Sequence, residues 1–196
     1  MLSSSRKSLQ GLLTNLRIFE GEDNITLIGI RFESTKPNEF KDLIGCCINN
    51  HVVLFDGTTS PGTYWLNNPM RVTGTARLMP GFYKACWVKG THKGKEALVQ
   101  SSKARFLVER DGDKDSDFDS NGVVHTDAAG INLHRAGERS TKVDKWSAGC
   151  QVIANTFDFE NLLSIIDKDK VSTTFSYQLF MYGDRDEFIK ALGSSQ

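Results

Sequence analysis

Residues 134–152 read HRAGERSTKVDKWSAGCQV, a histidine sixteen positions ahead of a cysteine, with the small residues Ala148 and Gly149 directly before the thiol. Either this is a nucleophile with its base, or it is a small buried thiol that happens to follow a histidine. A cysteine attacks a carbonyl as its thiolate, and a nearby imidazole takes the proton and stabilises the anion. The same imidazole later returns the proton to the leaving amine. Small residues ahead of the nucleophile leave room for the substrate carbonyl, and backbone N–H groups there can stabilise an oxyanion. An isolated cysteine is more often a core residue, so the surrounding sequence has to decide.

Working outward, strand signals dominate. NITLIGIRFE (24–33) is Ile-rich and alternating, HVVLFDG (51–57) ends in Asp-Gly, and GFYKACWVKG (81–90) and KARFLVER (103–110) are further strands. STTFSYQLFMY (172–182) is a long β-branched and aromatic strand. Helical spacing of Leu9, Leu12, Leu13 and Leu16 predicts a helix over 4–18, Asn155 is placed to cap a helix over 157–166, and DEFIKAL (186–192) reads as a short closing helix. The expectation is one domain over 1–196: an N-terminal helix (1–20), a β core (24–155) and a C-terminal helix–strand–helix (156–196). The fold class is mainly β with peripheral helices.

A length of 196 residues suffices for a substantial core. Twenty-four basic residues balance twenty-four acidic ones, so no global field draws the chain to nucleic acid or anionic lipid. No apolar run approaches the roughly 20 residues that span a bilayer. Polar Gln10, Thr14, Asn15 and Arg17 interrupt the apolar positions near the N-terminus, so no signal peptide is read there. Cys46 and Cys47 are adjacent, and with Cys86 and Cys150 they match neither a disulfide framework nor a zinc ribbon. Reduced thiols are the expectation.

The wider pattern favours the nucleophile. GINLHRAG (130–137), a gap, then SAGCQV (147–152) resembles the L,D-transpeptidase catalytic domain family, whose signature is a histidine followed some fifteen residues later by Ser-x-Gly-Cys. RLMPGFYKACW (77–87) is similar, more loosely, to the family's Pro-x-Gly-x-Phe strand entry, and the resemblance covers about residues 51–155. It implies a β-sandwich-like catalytic domain acting on peptidoglycan stem peptides by peptidase or transpeptidase chemistry that requires no cofactor. Carried over, Cys150 is the nucleophile, His134 the base, Gly149 and Cys150 supply oxyanion N–H groups, and Ser147 supports the turn. The histidine's second nitrogen is expected on a backbone carbonyl, that of Arg135. Two positions depart from the family: Ala148 stands where a second histidine is common, and Gln151-Val152-Ile153 follow the cysteine without an arginine. Bacterial members work outside the inner membrane. A chain without an export signal is therefore expected in the bacterial cytoplasm as synthesised, reaching the wall as a bacteriophage, virion-associated protein.

Around the motif, Arg135 and Arg139 are candidates to grip a stem-peptide carboxylate bidentately, and Tyr83 and Trp146 are candidate substrate contacts. Core or rim packing is the competing reading for both aromatics. His125, His134 and Cys150 form the alternative of a three-ligand zinc site. In the acidic loop DGDKDSDFDSNG (111–122), Asp117-x-Asp119-x-Asn121-Gly122 matches the first half of a calcium loop, but position twelve of that frame is Ala128 rather than a bidentate Glu. The loop reads as a solvated hairpin tip, with a weak structural calcium on Asp117, Asp119 and Asn121 as the alternative. The competing functional class is a virion tail or baseplate protein that keeps the fold, binds the wall or other tail proteins, and turns nothing over.

Overall fold

A computed structural model describes residues 25–193, apart from 35, 49–50, 121, 128–129 and 170. The helix expected over 4–18 lies outside the described residues. In chain order the elements are β1 (Ile25–Phe32), β2 (Asp42–Ile48), β3 (His51–Thr58), α1 (Thr63–Asn67), β4 (Thr75–Leu78), β5 (Gly81–His92) and β6 (Lys95–Gln100). There follow β7 (Phe106–Asp111), β8 (His125–Asp127), β9 (Leu133–Arg135), β10 (Gln151–Ile153), α2 (Thr156–Lys168), β11 (Phe175–Tyr182) and α3 (Arg185–Gly193).

The mainly β class with peripheral helices is what the chain adopts. Eight strands close into a barrel in the order β1-β11-β5-β6-β9-β10-β3-β2, and β4-β7-β8 form a second, three-stranded sheet. Ala76 and Leu78 of β4 and Phe106 and Val108 of β7 share one core with Trp87, Leu98, Leu133 and Tyr177 of the barrel. The second sheet is thus a layer packed on the barrel rather than a separate domain.

β1 is largely apolar because both its faces are covered. Ile25 and Leu27 belong to the main core, while Ile28, Ile30 and Phe32 form a second cluster with Leu43 and Phe188 of α3. Strand alternation sends them to opposite sides. Gly29, on the inner face, leaves the room that the Tyr177 hydroxyl occupies: a Cβ there would lie 1.8 Å from it. Asn155 caps α2 as expected, its side chain accepting from Asp158 N–H at 2.9 Å. Phe159, Leu162 and Ile166 turn one face of α2 into the main core.

The division at residue 155 does not separate a core from an addition. β11 is a barrel stave, parallel to β1 and antiparallel to β5. The chain therefore closes the barrel only when its last strand inserts between its first and fifth.

Asp42 ties the β1–β2 pair to the end of β3. It accepts from Phe32 N–H (3.2 Å), Thr59 N–H (2.8 Å) and Thr59 Oγ1 (2.7 Å). Arg31, only 3% exposed, donates to Thr59 Oγ1 (2.8 Å) and Thr59 O (2.6 Å). Burial, helped by Arg77 and opposed by Asp42, lowers the Arg31 guanidinium to about 10. Asp42→Ala removes a counter-charge from a buried cation and strands the Thr59 donors, and is expected to cost about 3–5 kcal/mol in urea denaturation.

Candidate active site

The motif is assembled by a parallel pair of three-residue strands. Gln151 lies beside Leu133 and Val152 beside His134. Gln151 N–H donates to Asn132 O at 2.9 Å, which brings Cys150, one residue ahead of β10, alongside Asn132. Leu133 and Gln151 face the barrel interior, where Gln151 Oε1 accepts from Tyr177 Oη at 2.8 Å. By alternation Asn132, His134, Cys150 and Val152 share the opposite face. Two residues sixteen apart in sequence are thus carried by adjacent strands, with Cys150 Sγ on Gly130 O (3.8 Å) rather than hydrogen-bonded to His134 Nε2.

The crossover between the two strands is pinned along its length. Val143 N–H donates to Asn38 O (3.1 Å), Asn38 Nδ2 to Asp144 Oδ1 (2.8 Å), Trp65 Nε1 to Lys145 O (3.1 Å) and Gly62 N–H to Ser147 O (2.9 Å). Ser147 is fully buried and closes the Ser-Ala-Gly-Cys turn: its Oγ donates to Cys150 O (2.8 Å) and accepts Gly149 N–H (3.1 Å). Gly149 has φ +123, and a Cβ on it would lie 2.7 Å from Ala76 O of β4. Its freedom from a side chain is what lets the turn sit on the second sheet. Since its N–H is already given to Ser147, the oxyanion role expected of Gly149 is not available to it in this geometry.

His134 is 8% exposed, and its Nδ1 lies 3.0 Å from Arg135 O, as expected. A carbonyl only accepts, so Nδ1 carries the hydrogen and Nε2 keeps its lone pair. Nε2 is buried with no hydrogen-bond partner among the described residues. It is an oriented, unspent base. Burial lowers His134 to about 4, the Arg135 carbonyl opposing and His92, Lys93 and the Arg135 cation adding to the fall. Cys150 is half-buried, with Sγ 3.8 Å from Gly130 O. Burial raises its thiol, while the Asn132 backbone N–H and Lys93 pull it down. The pair therefore rests as neutral thiol and neutral imidazole, not as the preformed ion pair.

Two groups without a sequence signal, His92 and Lys93, join this face. His92 stacks on His134, ring centroids 4.9 Å apart and planes 25° apart, and its Nδ1 meets Asn132 Nδ2 at 3.1 Å. Lys93 follows it at the β5–β6 turn, where Lys93 (φ 50) and Gly94 (φ 74) both take the left-handed conformation. A groove of about 370 Å³ opens there, lined by His92, Lys93, Lys95, Glu96, His134, Arg135, Lys145 and Trp146.

The other expected site residues divide. Trp146 is 41% exposed in the groove, against Gly137. Arg135 borders the groove but spends one nitrogen on Ala136 O (3.1 Å) and Thr156 Oγ1 (2.7 Å). Arg139 is exposed on the crossover, outside the groove lining. Tyr83 is not a substrate contact: it is 7% exposed, in the core edge-on to Phe106, with its hydroxyl donated to Met79 O at 2.6 Å. His125 lies in β8, paired with Val108 of the second sheet, rather than beside His134. Cys46 and Cys86 are buried, Cys47 sits beside Cys46 on β2, and none of the four cysteines, Cys150 included, is among the residues that line the groove. Asp117 and Asp119 separate, only Asp119 joining a carboxylate cluster with Asp111, Asp113 and Asp115, and Asn121 lies outside the described residues.

No family model, curated protein or solved structure matches the chain. Among the described residues no helix is long and apolar enough to cross a membrane.

Two measurements check these electrostatics. Alkylation of Cys150 by iodoacetamide, followed by mass spectrometry, should accelerate through pH 9 and beyond rather than level off below neutrality. Unfolding below the ordinary histidine value of 6.5 draws a proton that native His134 refuses until about 4. Stability from this residue is thus complete above pH 6.5 and lost as the pH falls towards 4, by about 3 kcal/mol at most. In urea denaturation, wild type should lose more stability over this window than His134→Gln, which does not titrate there.

Proposed function

We propose that this chain is a cysteine acyltransferase or peptidase of the L,D-transpeptidase type acting on peptidoglycan stem peptides. The observation that carries the reading is the imidazole: a buried His134 with Nδ1–H fixed on Arg135 O and a free Nε2, on the same face as Cys150 by strand register. A core histidine has no use for an unpartnered buried nitrogen, which costs free energy. A general base requires one.

In the proposed step, Cys150 Sγ attacks the carbonyl carbon of a stem-peptide amide as His134 Nε2 takes the thiol proton. Because the thiol is raised and the imidazole lowered, proton transfer accompanies attack instead of preceding it. The developing oxyanion is met by the Cys150 N–H, with Gly149 and Ser147 shaping the turn that presents it. The tetrahedral adduct collapses to a thioester, the C–N bond breaks, and the leaving amine departs with the proton held by His134. A second amine or a water then attacks the thioester carbonyl and gives up its proton to His134, restoring the Cys150 thiol. Water gives cleavage and an amine gives a new cross-link. Lys93, Lys95, Lys145 and Arg135 against the single Glu96 make the adjoining groove cationic, which suits a peptide rich in carboxylates. His92 packs flat on the base and holds its ring plane.

Incubation with purified peptidoglycan and mass spectrometry of the products tests the reading. Cleaved or re-joined stem peptides are expected from wild type, none from Cys150→Ala, and a roughly 10²–10⁴-fold lower rate from His134→Ala. Unmodified wall after wild-type treatment, or turnover surviving Cys150→Ala, overturns it.

A further inference from the structure

We propose that Asp111, Asp113, Asp115 and Asp119 hold one calcium ion, which braces the sheet beneath the Cys150 turn. One carboxylate oxygen from each of the four lies within 4.8 Å of all the others. Oxygens bound to a common calcium at about 2.3–2.6 Å are separated by at most about 5 Å, so the four fit around a single ion. Three of these aspartates are exposed and by themselves would mean little. Asp111 is different. It ends β7 with only 1% of its surface exposed, its Oδ1 takes a long bond from Asp113 N–H (3.4 Å), and its Oδ2 is buried with no partner among the described residues. A carboxylate buried among three others is costly unless a cation compensates it. Consistent with that cost, burial raises Asp111 to about 6, Asp113 N–H opposing and the charges of Asp113, Asp119 and Asp115 adding to the rise.

The donor set selects the metal. Four carboxylate oxygens, with neither imidazole nor thiolate, suit a hard cation rather than zinc or copper. A surface loop with many carboxylates suits calcium better than magnesium, which demands a strict octahedron and keeps its waters. The spacing 111, 113, 115, 119 is that of positions one, three, five and nine of a calcium loop, a frame that begins six residues earlier than the one suggested by Asp117, Asp119 and Asn121. Position twelve of this frame is Gly122, which offers no bidentate carboxylate, so affinity should fall in the weak range of about 10⁻⁴–10⁻³ M.

The location gives the ion a structural task. Asp111 pairs with Thr75 of β4, and the carbonyl of the next residue, Ala76, is the surface on which Gly149 rests. Fixing the end of β7 fixes the floor of the nucleophile turn. Within the loop Ser116 Oγ also accepts from Asn67 Nδ2 of α1 (3.1 Å).

Calorimetric titration of chelator-stripped full chain with calcium chloride, together with thermal melts, tests the site without any activity readout. Binding heat and a rise in Tm of about 5 °C are expected at about 10 mM calcium, with a smaller rise in equal magnesium. The rise should vanish in Asp113→Asn/Asp115→Asn, both exposed positions whose change leaves the fold intact. Asp111→Asn should also abolish it while raising the metal-free Tm, because a buried charge is removed. Absence of heat and of any Tm rise in wild type, or an equal rise in the Asp113→Asn/Asp115→Asn protein, overturns the site.

Discussion

Two short parallel strands carry the consequence of this fold. β9 and β10 contribute three residues each, yet their register decides where the histidine and the cysteine stand relative to one another. A shift of one residue would send Cys150 towards the barrel interior and Gln151 to the opposite face, because side chains alternate along a strand. The register is held by more than its own backbone bonds. Gln151 reaches across the interior to Tyr177, and the Tyr177 hydroxyl fits only because Gly29 has no side chain. Three strands far apart in sequence thus agree on one alignment.

Parallel neighbours need a crossover, and here the crossover is the motif loop itself. Its length lets it leave the barrel after Arg135, meet Asn38 and α1, and return at Cys150. Ser147 spends its hydroxyl and carbonyl on holding the return, and Gly149 allows it to rest directly on β4. The turn is therefore held by hydrogen bonds and close backbone packing on the protein side. Preorganisation of this kind lets a hydrogen-bond donor act on developing charge without reorganising first.

Burial has a second effect. Desolvation favours the uncharged form of both groups, moving the thiol up and the imidazole down. A resting neutral pair limits adventitious oxidation and alkylation of the thiol, and leaves the base unprotonated at neutral pH. The same packing that places the pair sets its protonation.

Much was legible in the sequence. The mainly β class, the strands around 24–33, 51–57 and 81–90, the Asn155 cap and the closing helix follow from local alternation, β-branching and capping chemistry, and those signals are carried by neighbours in the chain. The pairing of His134 with Arg135 O was also foreseeable, since it is a contact between adjacent residues. What only the tertiary structure decided depends on distant partners. Three-residue strands such as β9 and β10 are too short to show a period. The place of β11 between β1 and β5 is invisible to a local pattern that makes it look like an addition. His92 and Lys93 reach the site from another hairpin, and Tyr83 is drawn into the core because the second sheet covers it. Asp111, which reads as one more acidic residue of a solvated loop, becomes a buried carboxylate where β7 meets β4. Sequence determined which residues have the chemistry; barrel closure decided which of them meet, because only closure sets the register between strands that the chain itself keeps apart.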